Sequence, residues 1–273
     1  MIPLRDNIPS RNPPFVNYGL VVACSVVFLM QVFEPKSQPS LIEQFALVPA
    51  RVTDPNAQIT MTSVREVQTP MGQQQLLEER VMGPASVPAW LTLLTCTFLH
   101  GGWMHFLGNV WVLWIFGDNV EDRYGHLGYL IFYLACGMAA SAAHFMVDRH
   151  STMPTVGASG AIAGVMGAYF LLYPRARVLC IVPIVFFLQI MWLPAPLFLG
   201  IWFLMQFYQG TASITSMASG GVAWWAHIGG FLAGLGVTFW LRSHRRLKAP
   251  VQSRRAGSDR VVYIRRTPGS PWQ

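Results

Sequence analysis

A long stretch without charged residues is the feature that most limits how this chain can fold. Between Arg177 and Arg242 the sequence contains no Asp, Glu, Lys or Arg. A soluble domain is about 25% charged, whereas 11% of these 273 residues are charged and 53% are hydrophobic. Because a charge at the centre of a bilayer costs about 3 kcal/mol or more, such a stretch is natural in lipid. The composition indicates an integral membrane protein.

Apolar segments of spanning length predict an all-α membrane protein with a bundle of six transmembrane helices. One crossing needs about 20 mostly apolar residues. The charge-free run 178–209 exceeds one span and contains three prolines, so we expect 178–193 to be an interfacial or re-entrant stretch. We expect the charged residues 118–123 to close the second span. The predicted spans are 15–33, 103–116, 124–147, 156–173, 195–209 and 222–241.

These spans divide the chain into an N-terminal segment, a membrane domain and a tail. Residues 1–14 precede the six-helix membrane domain of residues 15–242, and a basic tail at 243–273 is expected to be disordered. Within the membrane domain, the long polar segment 34–89 is predicted to be an extracytoplasmic loop or small subdomain. Residues 209–221, rich in Gly, Ser and Thr, predict a short loop.

The distribution of Lys and Arg predicts that both termini are cytoplasmic. The net charge is +7, and nine basic residues follow the last span against one acid. This is typical of a cytoplasmic membrane flank, so we expect a bilayer and no nucleic acid as partner, nucleic-acid binding by the tail being the less favoured alternative. An even number of spans places both basic ends on one side. The predicted location is a bacterial-type inner cell membrane.

Polar side chains at one depth of the predicted bundle indicate a site. Ser159 lies about three residues into the fourth span and His227 about five into the sixth, while His105 and Asn109 lie on one face near the start of the second. With a rise of about 1.5 Å per residue, all four fall a few ångströms below the outer face.

Two small-residue patterns predict that the helices carrying Ser159 and His227 approach closely. Gly160-x-x-x-Gly164 and Gly230-x-x-x-Gly234 are faces on which helix backbones touch. His227 could then accept the proton of Ser159 Oγ as the hydroxyl attacks a peptide carbonyl. Donors to the resulting oxyanion could be the Ser159 N–H, the Asn109 amide and His105.

Three patterns in order give the region 91–241 a resemblance to the rhomboid proteases. They are GASG at 157–160, AHIGG at 226–230, and His100-x4-His105-x3-Asn109. The resemblance implies a six-helix fold with a catalytic pair formed by Ser159 as nucleophile and His227 as base. It also implies an oxyanion site at His105, Asn109, Ser159 and Gly157, with no metal or cofactor.

The resemblance further implies a serine endopeptidase that cleaves other membrane proteins in or beside their transmembrane segments. One position departs from the family pattern. Some members carry an aromatic residue one turn after the serine, stacked on the histidine, and here that position is Ala163. Another group has to steady His227, or its ring is less fixed.

Other functions fit the sequence less well. The HExxH pattern of zinc proteases is absent, and neither internal repeats nor intramembrane acids indicate a transporter. The alternative that stays open is a catalytically inactive rhomboid-like relative that binds or chaperones membrane proteins, although such relatives usually lack the serine or the histidine. We expect His100 at the outer rim. The substrate and the oligomeric state are left open.

Overall fold

The computed structural model describes residues 1–35, 39–69, 72–184, 187–215 and 222–248, and helices dominate them. The helices are α1 (Phe15–Phe33), α2 (Leu41–Phe45), α3 (Pro49–Thr53), α4 (Thr92–Thr95), α5 (Trp103–Tyr124), α6 (His126–Val147), α7 (Ser159–Leu172), α8 (Ala195–Thr215) and α9 (Trp224–Ser243). The strands are β1 (Ile2–Asp6), β2 (Thr60–Thr69), β3 (Gly72–Val81), β4 (Arg177–Ile184) and β5 (Phe187–Pro194).

The six long helices begin within three residues of the predicted spans, and α1 matches its span at both ends. Two of the described helices, Phe15–Phe33 and His126–Val147, combine the length and the mean hydropathy, 2.0 and 1.8, of a membrane crossing. The prediction of an all-α protein overlooked two small antiparallel sheets, β1-β4-β5 and β2-β3. The predicted tail lies largely outside the described residues, from position 249 onward.

The charged residues 118–123, which we expected to close the second span, form the last turns of α5, which ends directly after them at Tyr124. Their carboxylates have partners inside the protein. Asp122 accepts hydrogen bonds from the backbone N–H groups of Arg11 and Asn12. Glu121 accepts from Val16 and Asn17, where the first turn of α1 has no intrahelical acceptors. The helix ends at Gly125, whose φ of 73° favours glycine.

The prediction of a loop beginning at residue 209 was wrong, because α8 continues to Thr215. Hydroxyl side chains in this stretch bond back to their own helix: Thr211 Oγ1 donates to the Phe207 and Tyr208 carbonyls, and Ser213 Oγ to that of Gly210. Back-bonding of this kind lets Ser and Thr stay within a helix despite a weak intrinsic preference. Residues 216–221 of the predicted loop lie outside the described residues.

The stretch predicted to be interfacial or re-entrant contains two antiparallel strands, β4 and β5. Strand β4 pairs with β5 and also with β1, from Ile2 opposite Ile181 to Asp6 opposite Val178. The stretch is rich in β-branched residues, which favour strands, and its prolines disfavour a helix. Its location at a membrane interface stays a prediction.

The polar segment after α1 contains a small folded unit. It includes α2, α3 and the β2–β3 hairpin around a small core of Val48, Ile59 and Met82. The buried Arg51 guanidinium donates to the carbonyl oxygens of Glu43, Met82 and Gly83. Leu47 and Thr155 exchange two backbone hydrogen bonds, which attach this unit to the loop before α7.

Helix α7 is the centre of the bundle, and 11 of its 14 residues are buried. It packs against α5, α6, α8 and α9. A Cβ on Gly230 would collide with the Gly160 carbonyl oxygen, and one on Gly234 would collide with the Gly164 backbone. The predicted contact between the two glycine faces is therefore confirmed.

The two ends of the bundle differ in composition. We name the end where α7 and α9 finish the basic end: Arg242 donates there to the Leu171 carbonyl, Arg123 donates to that of Lys248, and Arg5 pairs with Leu179 in the sheet. We name the end where α7 and α9 begin the site end. The 39–89 unit and the loop at 148–156 lie at this end, joined by the Leu47–Thr155 pairing.

Candidate active site

The turn that carries Ser159 is fixed by Gly157. Its φ of 130° is a conformation that L side chains rarely adopt. A Cβ at this position would lie 2.6 Å from Cε1 and 2.7 Å from Nε2 of His105. The Gly157 N–H donates to the Cys96 carbonyl oxygen at 2.9 Å. Only glycine fits between the His105 ring and Ser159, which begins α7 two residues later.

Ser159 and His227 are in direct contact. The Ser159 Oγ and His227 Nε2 atoms are 2.8 Å apart, a hydrogen-bonding distance. Both residues are partly buried. The glycine contact between α7 and α9 brings the first turns of the two helices together. Ser159 and His227 lie in those turns, which is why they are close, as the sequence predicted.

Helix α8 supplies a residue that the sequence reasoning missed. Gln206 is 6% exposed, and its Oε1 lies 2.7 Å from His227 Nδ1, on the side of the ring away from Ser159. One turn earlier, the Trp202 ring centroid lies 5.9 Å from that of His227, and the Trp224 ring meets the imidazole edge-on at 6.1 Å. A polar residue inside an apolar span is a functional candidate by default, and that signal could have identified Gln206.

The residue one helical turn after Ser159 is small, as the sequence indicated. Ala163 is fully buried and has no ring with which to stack on His227. The groups around the imidazole come instead from α8 and from the first turn of α9. Among them, the rings of Trp202 and Trp224 lie beside the imidazole.

His105 and Asn109 lie on α5 beside the same turn. The Gly101 N–H donates to His105 Nδ1 at 3.3 Å, so the ring proton of neutral His105 belongs on Nε2, the atom that faces Gly157. Asn109 is buried, and its Nδ2 has no hydrogen-bond partner among the described residues. A buried amide without a partner costs about 1–3 kcal/mol and therefore calls for a functional explanation.

His100 does not lie at the rim, where we expected it. It is 1% exposed, and its ring packs against Phe28, Phe106 and His105. Burial, together with the neighbouring His105, lowers the pKa of His100 to about 4, so the ring is neutral at pH 7. Apolar packing by α1 and α5 encloses the ring, and sequence spacing alone could not indicate that enclosure.

Gly157 differs from the other residues predicted at the oxyanion. Its N–H is already engaged by the Cys96 carbonyl, so it is not a free donor to a substrate. The Ser159 N–H belongs to the first turn of α7, where no carbonyl within the helix can accept it. The role of Gly157 is steric: because it has no side chain, the His105 ring fits beside Ser159.

Comparison with known proteins identifies the family of this chain. The family model for the Rhomboid domain matches residues 88–244. Rhomboid-like protein 11, chloroplastic, of Arabidopsis thaliana is 39% identical over 77 residues, which are 28% of this chain and 27% of the relative. Rhomboid protease GluP of Bacillus subtilis (strain 168) is 45% identical over 79 residues, 29% of this chain and 15% of the relative.

A third relative is more distant. The human presenilin-associated rhomboid-like protein, mitochondrial, is 28% identical over 110 residues, 40% of this chain and 29% of the relative. The chain thus spans less than a third of the length of each of these three curated relatives. The family model, in contrast, covers more than half of this chain. This protein therefore belongs to the rhomboid family of integral membrane proteins.

Proposed function

We propose that this protein is an intramembrane serine endopeptidase that cleaves other membrane proteins in or beside their transmembrane segments. The observation that carries the proposal is the 2.8 Å contact between Ser159 Oγ and His227 Nε2. A Bacillus subtilis relative that bears the name protease adds support. The catalytic pair would work without an acidic third member.

In the proposed reaction, Ser159 Oγ attacks the carbonyl carbon of the peptide bond while its proton passes to His227 Nε2. The imidazolium then gives this proton to the leaving amine, and water releases the acyl group from Ser159. The charge on the carbonyl oxygen would be met by the Ser159 N–H, Asn109 Nδ2 and His105 Nε2–H. The unpartnered Asn109 amide fits this role, because a donor that is free in the resting protein is available to the transition state.

We further propose six membrane crossings, by α1, α5, α6, α7, α8 and α9, with both termini cytoplasmic in a bacterial-type inner membrane. The gathering of basic residues at one end supports the orientation. Helix α7 is eight residues shorter than α5 and α6, about 12 Å at the rise of an α-helix. Ser159 would then lie below the membrane surface, where a substrate's transmembrane segment meets the lipid boundary.

Covalent labelling tests the proposal. Purified protein in lipid is treated with a fluorophosphonate probe, and single-span membrane proteins are offered as substrates. We expect labelling at Ser159 and cleavage in the wild type, neither in Ser159→Ala, and no effect of a chelator. Cleavage lost with a chelator and restored by zinc would contradict the serine mechanism.

A catalytically inactive binder or chaperone is the second candidate function. The observation behind this candidate is that the relatives include presenilin-associated rhomboid-like proteins, whose printed names do not mention protease activity. Capture of a single-span membrane protein by both wild type and Ser159→Ala, with no labelling and no cleavage, would favour this candidate.

A further inference from the structure

On the side opposite Ser159, the His227 ring contacts a polar group that has no role in the reaction proposed above. The imidazole lies between two polar atoms, Ser159 Oγ at 2.8 Å from Nε2 and Gln206 Oε1 at 2.7 Å from Nδ1. These distances form a continuous hydrogen-bonded line from the serine through the histidine to the glutamine. Gln206 is almost fully enclosed by protein, so bulk water does not compete for its oxygen.

The chemistry of an amide decides which ring nitrogen carries the proton. The carbonyl oxygen of a glutamine side chain accepts hydrogen bonds and cannot donate one. A contact between Gln206 Oε1 and His227 Nδ1 is therefore a hydrogen bond only if Nδ1 carries a proton. In a neutral imidazole the other nitrogen, Nε2, is then unprotonated and can accept the Ser159 hydroxyl proton.

We propose that Gln206 is a positioning residue that holds His227 in the Nδ1–H tautomer and fixes the plane of its ring. Trp202 lies one turn earlier on α8 and contacts the same imidazole, so one helix restrains both the edge and the face of the ring. This arrangement supplies the support that Ala163 cannot give. The inference rests on the proposed function, because the tautomer matters to catalysis only if His227 is the base.

The proton balance keeps Gln206 neutral throughout. When Ser159 attacks, its proton moves to Nε2 and the ring becomes an imidazolium. The Nδ1 proton stays on nitrogen, and its bond to the amide oxygen strengthens because the donor is now charged. The amide dipole thus opposes the cost of forming a cation in apolar surroundings without placing a buried carboxylate in the membrane.

Three variants of matched size separate this role from packing. Gln206→Met keeps the length of the side chain and removes the acceptor oxygen. Gln206→Glu keeps an oxygen acceptor at the same reach. Gln209→Met, three residues further along α8 and only partly buried, is the matched control. We expect Gln206→Met to lower kcat by about 10- to 100-fold, part of the usual contribution of general base catalysis.

The same variants should leave KM unchanged, because Gln206 acts through His227 and does not touch the substrate. We expect Gln206→Glu to recover much of the lost kcat and Gln209→Met to behave as wild type. A glutamine that serves only to pack would be replaced by methionine without loss. A Gln206→Met variant with wild-type kcat would overturn the proposal.

A spectroscopic measurement tests the tautomer without any turnover. Protein labelled with ¹⁵N-histidine is studied in lipid nanodiscs at neutral pH, and the His227 signals are assigned by their loss in His227→Ala. We expect the Nδ1–H tautomer in the wild type and in Gln209→Met, and a mixture or the Nε2–H tautomer in Gln206→Met. A wild-type His227 protonated at Nε2 would overturn the inference even if Gln206→Met failed to fold.

The two proposals fail in different ways. If the wild type neither binds the fluorophosphonate nor cleaves, the protease function fails, and the ¹⁵N spectrum still decides the tautomer. If the wild type cleaves, and the Gln206→Met variant has the wild-type kcat and the wild-type His227 tautomer, the protease function stands and the proposed role of Gln206 is wrong.

Discussion

The two ends of the helical bundle differ in how far their buried polar groups are paired. At the basic end, Glu121 and Asp122 each accept at least two backbone hydrogen bonds, and the Tyr173 hydroxyl donates to the Asn119 carbonyl. At the site end, both ring nitrogens of His100 and the amide nitrogen of Asn109 have no partner within the described residues. Pairing at the basic end is not complete, because Asn119 Oδ1 also lacks a partner among the described residues, but the buried carboxylates there are paired.

This difference shows how the fold divides stability from chemistry. A buried polar group with partners stabilises the fold, whereas one without partners costs about 1–3 kcal/mol. A protein can bear such a cost at one end if the other is well paired. In the proposed reaction, the unpaired Asn109 amide would be available to the oxyanion.

The largest expected effect is on activity alone. Replacing Ser159 by Ala, or His227 by Ala, should lower cleavage by about 10⁴-fold or more, because the two act as a unit. Thermal unfolding should change little, since neither residue belongs to the paired network at the basic end. Initial rates on a single-span substrate and unfolding followed by circular dichroism measure the two properties. A large loss of stability in Ser159→Ala would contradict this separation.

Removing an oxyanion donor should give the next largest effect. Asn109→Ala and His105→Ala should each lower kcat by about 10²–10³-fold if each side chain supplies one donor. The Asn109 variant should not lose stability through its amide nitrogen, because that nitrogen has no partner among the described residues. Steady-state kinetics and unfolding on the same preparations measure both. An Asn109→Ala protein that is strongly destabilised but still cleaves would reverse the assignment.

Adding a single methyl group to the contact between α7 and α9 should lower the stability of the protein. Gly234→Ala places a Cβ against the Gly164 backbone, so it should destabilise by about 1–3 kcal/mol through overpacking. Gly236→Ala is the matched control, because nothing lies within 4 Å of its Cβ and alanine favours a helix. Unfolding in mixed micelles compares them. Equal stabilities would show that the close approach is not maintained.

At the basic end, Glu121→Gln should lower stability by about 1–3 kcal/mol while Ser159 still reacts with a fluorophosphonate. Glu121 is 2% exposed, and its two oxygens accept from consecutive N–H groups of α1. A glutamine keeps only one acceptor oxygen, so one of these N–H groups loses its partner. The exposed Glu79→Gln serves as control. Loss of labelling without loss of stability would argue against the division between the ends.

The smallest expected effect is at Asp148, an acid in the loop that precedes α7 at the site end. Asp148→Asn should change the cleavage rate only slightly, because the His227 Nδ1 atom is already occupied by Gln206. Asp148 instead accepts from the His150 N–H in its own loop. Cleavage rates relative to wild type decide the matter. A loss as large as that of His227→Ala, in a folded protein, would show that an acid takes part.

Much of the helical framework could be predicted because lipid imposes a simple rule on the chain. Apolar length and the placement of charges located α1 at both ends and the other long helices at their starts. The hydroxyl residues in α8 misled the interpretation of where that helix ends, and the partners of the charged residues in α5 were not visible either. Both groups find partners in the folded protein that a linear pattern cannot show, Asp122 with the N-terminal segment and Thr211 with its own helix.

The candidate site was only partly visible in the sequence. Ser159, His227, His105 and Asn109 stood out because polar residues are rare inside apolar spans. Gln206 has the same property but lies in no recognisable pattern, and its relation to His227 depends on how α8 packs against α9. The engaged N–H of Gly157 was equally hidden, because its acceptor, the carbonyl of Cys96, lies about 60 positions earlier in the chain.

The three-stranded sheet has a consequence for the order in which the protein is made. Strand β1 begins at the second residue, and its partner β4 follows about 180 positions later, with Ile2 opposite Ile181. At synthesis rates of about 5–20 residues per second, the first strand waits roughly 10–35 s for that partner. Four of the long helices, α1, α5, α6 and α7, are complete before β4 is made, so β1 pairs only after most of the bundle has been synthesised.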